Sequence, residues 1–211
     1  MKINVLVFGL LISAVFNLHA QEKRFGILAG FGITEPSWPK APIENIYKPI
    51  VSYSLNAHLD FKSKGIWGLS IEPGIIQKGS VIQNSPSGKR DNERTELLYI
   101  HAPLLSNFYL GKKFMISFGP EFGYLISGKR YFMDTKRNIT DSYEKFEVCG
   151  LFGLNYKVSE NIVIGIRYSR GLIYTDERAI LDMESNLIIF NEFSQYLHFI
   201  TRYQFNSKNK G

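Results

Sequence analysis

The sequence predicts an all-β protein, an eight-stranded antiparallel up-and-down transmembrane β-barrel, and three observations support this prediction. Large apolar residues occupy every second position of long segments, as in FMISFGPEFGYLIS at residues 114–127. This period-2 alternation is typical of a strand with two different faces. Eight such segments follow residue 21, joined by connections that are alternately short and long. The apolar faces also carry side chains too large to fit together inside eight strands.

The eight predicted strands lie at residues 24–33, 50–62, 66–78, 94–110, 113–128, 142–157, 161–173 and 193–206. The connections after the second, fourth and sixth strands are a few residues long, whereas the others are long and polar. Tight turns at one end and long loops at the other are typical of membrane barrels, whose short turns face the periplasm. The stretch ERAILDMESNLII in the last loop predicts a short helical turn. The last strand, with YLHFITRYQF, is expected to close the barrel, because lipid does not tolerate an open sheet edge.

The distribution of polarity favours a membrane barrel over a soluble one. In the seventh strand Ile164, Ile166 and Tyr168 share one face, while Arg167 and Ser169 share the other. A soluble barrel such as a lipocalin would bury the large apolar side chains inside. The predicted strands also exceed the length of about 9–11 residues that a tilted transmembrane strand needs. Aromatic residues outside and charges inside suit a lipid-facing wall around a polar lumen.

The first twenty residues, MKINVLVFGLLISAVFNLHA, predict a cleaved secretory signal peptide. Lys2 precedes an apolar run from Ile3 to Phe16, and Ala20 precedes a polar stretch. The run is short for a membrane-spanning helix, which is the alternative interpretation. We therefore predict export and a single barrel domain over residues 21–211, with both ends in the periplasm.

Four motifs support a family resemblance: SIEPGIIQKGS, LLYIHAPLLSNFYL, FGPEFGYLISGK and IVIGIRYSRGLI, in that order. On these motifs the sequence resembles the PorT-like outer-membrane β-barrel family of Bacteroidota, over essentially the whole chain after the signal peptide. The resemblance implies a location in the outer membrane of a Gram-negative bacterium. The family's namesake is linked to protein secretion, which the resemblance alone does not transfer to this chain. His101 stands where the family often has a glutamate before the proline.

Charged residues are expected to meet inside the barrel. Glu72, Glu121 and Arg167 face inward and lie seven or eight residues beyond a predicted turn. Because side chains fill the lumen of an eight-stranded barrel, we predict that Arg167 bridges the two glutamates, with Arg202, His58 and Asp60 nearer the periplasm. The predicted lumen network comprises Glu72, Glu121, Arg167, Arg202, His58 and His101. The alternative interpretation is a pathway for protons or ions.

The positive charge of the chain is concentrated next to the short turns. The formal net charge of the 211 residues is +6. A basic rim suits anionic phospholipid headgroups better than nucleic acid, which is not predicted as a partner. The predicted lipid contacts are Lys62, Lys64, Lys112 and Lys113 at this rim, and Lys129 and Arg130 beyond the fifth strand, beside lipopolysaccharide phosphates. The alternative is that these positions are merely solvated.

The sequence offers little for cofactor or metal chemistry. No two histidines or cysteines show ligand spacing, so neither a metal nor another cofactor is predicted. The single cysteine, Cys149, excludes an internal disulfide and is expected to be a small lumen filler. A lipid-modifying enzyme would need a serine–histidine pair at the lipid interface, and His58, His101 and His198 offer none.

The favoured function is a structural or interaction role without catalysis. In this hypothesis loops 34–49, 79–93, 129–141 and 174–192 contact an unidentified protein, a surface ligand or a secretion component. One alternative is a narrow pore for small solutes or ions, and a less favoured one is an outer-membrane lipid-modifying enzyme. The long loops and the narrow, charged lumen favour the first hypothesis.

Overall fold

The computed structural model describes residues 22–37, 47–63, 65–84, 91–132, 135–181 and 187–205. These residues form twelve β-strands and one short 3₁₀ helix, Thr140–Ser142. The strands are Glu22–Ser37 (β1), Tyr47–Lys48 (β2), Ile50–Lys62 (β3), Trp67–Ile71 (β4), Gly74–Asn84 (β5), Asp91–Leu110 (β6), Phe114–Phe132 (β7), Thr135–Asn138 (β8), Phe146–Lys157 (β9), Ile162–Gly171 (β10), Asp176–Leu181 (β11) and Leu187–Phe205 (β12). The predicted signal peptide, residues 1–20, lies outside the described residues.

Eight antiparallel wall strands close into a barrel, which confirms the predicted fold. We call each wall strand a stave. Their order around the barrel is β1, β3, β4 with β5, β6, β7, β9, β10 and β12. β4 and β5 form one stave interrupted at Glu72 and Pro73, where the backbone amide of Glu72 still donates to the carbonyl of Pro103. β1 pairs with β12 over thirteen residue pairs. This pairing joins the first stave to the last.

The staves are tilted relative to the barrel axis. A path through directly paired residues leaves β1 at Lys23 and returns to β1 at Ile33, ten residues further along the strand. Closure of a sheet with such a stagger requires strands tilted by roughly 35–45°. Paired residues therefore climb from the short-turn end towards the long-loop end as the path proceeds from β1 through β3. This climb determines which lumen side chains meet.

Short and long connections alternate as predicted. The β3–β4, β6–β7 and β9–β10 connections are short. Gly111 begins the β6–β7 turn with a φ of 69°, a left-handed conformation that side-chain-bearing residues adopt at a cost. All three turns lie at the same end of the barrel, which in outer-membrane barrels faces the periplasm.

The strands on the long-loop side extend further than predicted. β6 begins at Asp91, β7 ends at Phe132 and β12 begins at Leu187, so parts of the predicted loops 79–93, 129–141 and 174–192 are strand. The predicted helical turn in ERAILDMESNLII is wrong for its described residues, which lie in β11 and β12. β12 runs past the barrel wall, and pairing with β11 satisfies backbone groups that would otherwise lack partners.

The outer wall of the barrel is apolar. Phe31 and Phe199 are each 62% exposed, Phe114 is 59% exposed and Leu55 is 57% exposed. Along β10 such exposed positions alternate with buried ones, as the sequence predicts. A continuous belt of exposed aromatic and aliphatic side chains is the lipid-facing surface of a transmembrane barrel. Among the described residues, no helix is long and apolar enough to cross a membrane.

Candidate functional site

The lumen is filled with buried polar and charged side chains. Glycines on the inner face leave room for them: a Cβ at Gly30 would lie 2.4 Å from Ser54 Oγ, and one at Gly153 would lie 3.2 Å from Cγ of Arg167. The buried ionisable residues include His58, Asp60, Glu72, Lys78, His101, Glu121, Glu147, Arg167, His198 and Arg202. All of them except His198 fall into three layers, which we name lower, middle and upper from the short-turn end.

The lower layer is a belt of hydrogen bonds formed by Asp60, Asn107, Ser117 and Asn155. Asn107 Nδ2 donates to Asp60 Oδ1 at 3.2 Å, and Ser117 Oγ donates to Asn107 Oδ1 at 2.7 Å. Asn155 Nδ2 donates to Ser117 Oγ at 3.0 Å. The hydroxyl of Tyr109 donates to the second oxygen of Asp60 at 2.7 Å. The belt ties β3, β6, β7 and β9 together through the lumen.

The middle layer gathers His58, Arg167 and Arg202 around the carboxylate of Glu72. Arg167 forms a bidentate pair: its Nη1 donates to Glu72 Oε2, and its Nη2 donates to Oε1 at 2.9 Å. Arg202 Nη2 donates to the same Oε1 at 3.1 Å, and His58 Nδ1 lies 2.9 Å from it. Bidentate, charge-assisted pairs are among the stronger hydrogen bonds in proteins. The carboxylate thereby joins β3, β10 and β12 to the break between β4 and β5.

The upper layer is formed by Lys78, His101, Glu121, Glu147 and Tyr196. The Lys78 ammonium donates to Glu147 Oε1 and lies 3.6 Å from Glu121 Oε1. Tyr196 donates its hydroxyl proton to Glu121 Oε2 at 2.5 Å, and His101 Nδ1 lies 3.1 Å from Oε1. Lys78 is only 1% exposed, so its charge is balanced by the two carboxylates rather than by solvent.

Asn56 connects the middle and upper layers. Its Nδ2 donates to the backbone carbonyl of Glu72 at 2.8 Å and lies 2.8 Å from His101 Nε2. An amide nitrogen can only donate, so His101 Nε2 accepts this bond and Nδ1 carries the proton that faces Glu121. The orientation of the imidazole is thus set from both sides.

The predicted bridge from Arg167 to both glutamates is only half correct. Arg167 pairs with Glu72 as predicted, but Glu121 is held instead by Lys78, His101 and Tyr196. The reason is the strand tilt. Glu121 lies two staves further along the climbing path than Glu72, so equal distances from the turns correspond to different heights. Of the three residues expected nearer the periplasm, Asp60 lies in the lower layer, whereas Arg202 and His58 contact Glu72 itself. His101 contacts Glu121.

Sequence reasoning missed Lys78, Glu147 and Tyr196 as members of the network. The period-2 alternation could have revealed them. Lys78 lies an even number of residues after Glu72 along the same stave, so both side chains face inward. Glu147 is likewise an even step before Cys149, which is buried as predicted. Tyr196 shares its inward parity with Arg202 on β12. Each residue could have been assigned by extending the alternation two or three steps further.

One cluster in the upper layer has donor atoms suited to a metal ion. One atom each of Glu121, Glu147 and Cys149 lie within 4.8 Å of one another. Lys78 contacts both carboxylates, so its ammonium supplies the positive charge that a metal ion would supply. The cluster is accordingly complete without a metal.

Ser52 and His198 form a serine–histidine contact that the sequence did not reveal. Ser52 Oγ lies 2.8 Å from His198 Nε2 and donates to the backbone carbonyl of Gln77 at 2.5 Å. Because the single hydroxyl proton goes to Gln77, His198 donates to Ser52 instead of removing its proton. This polarity is the reverse of nucleophile activation. The pair is also buried inside the lumen, away from the lipid interface.

The predicted lipid-contacting residues lie at both ends of the barrel. Lys62, Lys112 and Lys113 line a cavity at the short-turn end. Lys64 lies outside the described residues. Lys129 and Arg130 lie near the end of β7, where Arg130 Nε is 2.8 Å from Glu93 Oε1. Contact with lipid remains a prediction for all of them.

A comparison of the sequence with known protein families agrees with the closed wall, the apolar belt and the polar lumen. Residues 19–177 match the family described as outer membrane protein beta-barrel domain. The chain belongs to this family. Its membership and its lipid-facing belt locate the barrel in the outer membrane of a Gram-negative bacterium.

Among solved structures, this outer-membrane barrel is similar to Neisserial surface protein A (NspA), with 13% identity and a TM-score of 0.55, covering 86% of this chain and 97% of NspA. A second similar structure is Ail, the attachment invasion locus protein of Yersinia pestis, in complex with the heparin analogue sucrose octasulfate. It shows 14% identity and a TM-score of 0.48 over 87% of this chain and 99% of Ail. The NspA similarity shows a shared fold and carries no functional information. No curated protein matches the sequence.

Proposed function

We propose that this protein is an outer-membrane scaffold whose lumen is closed by side chains and whose role is carried by the structures that project from its long-loop end. The observation that carries the proposal is the stack of hydrogen-bonded layers across the lumen. Above them, the cavity lined by Lys78, Thr95, Tyr99 and Glu192 has a volume of only about 20 Å³. A space of this size holds about one water molecule. The layers and this narrow space support a barrier rather than a channel.

Single-channel conductance of the purified barrel in planar bilayers tests this closure. We expect no current steps from the wild type, since ions would have to displace buried, paired charges. Current steps from the wild type would contradict the proposal and support the alternative, a narrow pore. Two variants locate the barrier: Arg167→Ala removes the pair with Glu72, and Arg170→Ala removes an exposed arginine of the same strand. Current steps from Arg167→Ala but not from Arg170→Ala would assign closure to the middle layer. No current from either variant would assign closure to the three layers together.

The projecting strands support an interaction role. β7 with β8 and β11 with β12 form paired extensions beyond the barrel wall. The connection after β8 is held in place, because Lys145 Nζ donates to Thr140 O and to Asp141 Oδ1, each at 2.7 Å. Preformed surfaces bind partners at a lower entropic cost than flexible loops. The partner class in this proposal is an outer-membrane or secreted protein.

Photo-crosslinking in intact cells tests the interaction role. A photoreactive amino acid replaces Glu177, which is exposed on β11, and in a matched control it replaces Ser159, which is exposed in the β9–β10 turn. We expect a discrete crosslinked species from position 177 and not from position 159. The same result at both positions, or none at either, would contradict a partner at the long-loop end. The narrower PorT-like relationship and a link to secretion rest on the four sequence motifs, and identification of a secretion component in the crosslinked species would support them.

The proposal retains contacts with outer-membrane lipids and includes no catalytic step. Lys129 lies on the outer side of the barrel opening, paired in register with Glu96 of β6, where lipopolysaccharide phosphates would face it. Arg130 contributes less, because Glu93 already engages its guanidinium. The hydrogen-bond direction in the Ser52–His198 contact supports the absence of hydrolase chemistry.

A further inference from the structure

A cavity of about 270 Å³ opens at the short-turn end of the barrel and has no role in the closed lumen. It extends from the exposed turn at Gly111 and Lys112 to the buried side chains of Asn155 and Arg202. We name this space the vestibule. Its charged lining residues are the cations Arg24, Lys62, Lys112, Lys113, Lys157 and Arg202 and the carboxylate of Glu160.

The vestibule is strongly basic. Six of its lining side chains are cationic and one, Glu160, is a carboxylate. Glu160 accepts a hydrogen bond from Lys157 Nζ at 2.6 Å, so part of its charge is already neutralised. Asp60 lies nearby in the lower layer, and both of its carboxylate oxygens accept hydrogen bonds from lumen groups. Like charges gathered around one concave space repel one another unless an anion joins them.

Aromatic rings hold two of the lysines at the mouth. Lys62 Nζ lies 4.5 Å from the centre of the Tyr109 ring, and Lys113 Nζ lies 5.8 Å from the centre of the Tyr156 ring. These cation–π contacts restrict the lysine stems and leave their ammonium protons available to hydrogen-bond acceptors. Two cationic groups are therefore already positioned before any ligand arrives.

The floor of the vestibule contains buried polar atoms that lack partners. Arg202 is 1% exposed and Asn155 is 3% exposed. Neither Nε of Arg202 nor Oδ1 of Asn155 has a hydrogen-bond partner in the described part of the chain. An unsatisfied buried donor or acceptor is costly, and a guanidinium is well suited to phosphate oxygens. A ligand with phosphate oxygens reaching the floor would supply the acceptor that Arg202 lacks.

We propose that the vestibule is a binding site for a phosphate-bearing anion at the periplasmic face. Lysines at the mouth attract the anion, and Arg202 at the floor orients one of its oxygens. Two sources present this chemistry: the headgroup of an inner-leaflet phospholipid and a soluble periplasmic phosphate compound. The site lies at the short-turn end of the barrel, whereas the proposed interaction surface lies at the long-loop end.

Calorimetric titration of the full chain with inorganic pyrophosphate tests the site, with the barrel held in dodecylmaltoside micelles that contain no phosphate. The test variant is Lys112→Gln/Lys113→Gln, whose residues are exposed in a turn. The matched control is Lys136→Gln/Arg137→Gln, an adjacent pair of exposed cations on β8. We expect saturable binding that weakens with added salt. The test variant should lower the affinity roughly tenfold, as loss of two exposed charge contacts predicts, and the control should match the wild type.

Two results would overturn the proposal, and two further results distinguish the sources of the ligand. Absence of pyrophosphate binding to the wild type would overturn it, and so would equal weakening in the test and control variants. Micelles doped with phosphatidylglycerol then distinguish the two sources. Competition by this lipid with pyrophosphate supports the headgroup as the ligand, whereas undiminished pyrophosphate binding supports a soluble phosphate compound.

Discussion

Lys78→Met isolates the charge of the upper layer from its packing. Methionine resembles the lysine stem in length, so the substitution chiefly removes the buried ammonium. In the wild type this group donates to Glu147 and lies 3.6 Å from Glu121. Removing one partner of a buried ion pair typically costs ~3–5 kcal/mol, because the other charge stays buried without compensation. Here Glu121 keeps His101 and Tyr196 as partners, so we expect a loss of about 3 kcal/mol, near the lower end of that range.

The assay is urea unfolding of the barrel in lipid vesicles, followed by tryptophan fluorescence and extrapolated to zero urea. A second variant, Lys78→Met/Glu147→Gln, removes one charge of each sign and should recover most of the lost free energy of unfolding. Lys145→Met serves as the surface control. Its ion pair with Asp141 is largely exposed, so its loss should leave the free energy of unfolding nearly unchanged.

The outcome of the double variant decides whether the layer is electrostatically coupled. If Lys78→Met loses less than about 1 kcal/mol, the buried charge is not compensated in the way the geometry indicates. If the double variant is as unstable as the single one, the loss arises from packing and the coupling argument fails.

Three further predictions follow from the wall and the lumen. Gly30→Val should lower the free energy of unfolding by ~1–3 kcal/mol, because a Cβ at this position would lie 2.4 Å from Ser54 Oγ. Gly65→Ala should be nearly neutral in the same assay, because the nearest atom to its Cβ would be 3.7 Å away. Phe199→Lys on the lipid-facing belt should cost ~2–4 kcal/mol in vesicle unfolding, and Phe199→Leu much less; equal losses would contradict lipid exposure. Cys149 should resist a water-soluble maleimide in the folded barrel and react in urea, as mass spectrometry would show, because its side chain is fully buried.

The wall of the barrel was predictable from the sequence because each strand carries its own two-sided pattern. Residues 114–127 predicted Phe118 outside and Ser117 inside, and the structure confirms both, with 47% and 0% exposure. Lipid on one side and a narrow polar lumen on the other impose this alternation on every stave. The number of staves and the order of short and long connections then follow from counting the repeats.

Contacts across the lumen were less predictable, because they depend on the stagger between strands. Whether Arg167 meets Glu72 or Glu121 depends on how far the pairing path climbs per stave. The pairing registers at the eight strand–strand interfaces together set that climb. The residue pattern of a single strand does not predict it. The extensions of β7 and β12 beyond the membrane were missed for a related reason, since pairing partners outside the bilayer do not need an apolar face.

The three layers alternate in formal charge, and this alternation strengthens the closure of the lumen. With histidines counted as neutral, the lower layer holds the single carboxylate of Asp60, the middle layer holds two arginines against Glu72, and the upper layer holds Lys78 against Glu121 and Glu147. A cation that passes one negative layer next meets the arginines, and an anion that reaches Arg202 from the basic vestibule next meets the carboxylates of the upper layer. Each ion therefore faces a repulsive layer inside a low-dielectric wall, where such repulsion is strong. Steric filling and alternating charge thus oppose conduction independently, so removing Arg167 alone would weaken both barriers only at the middle layer.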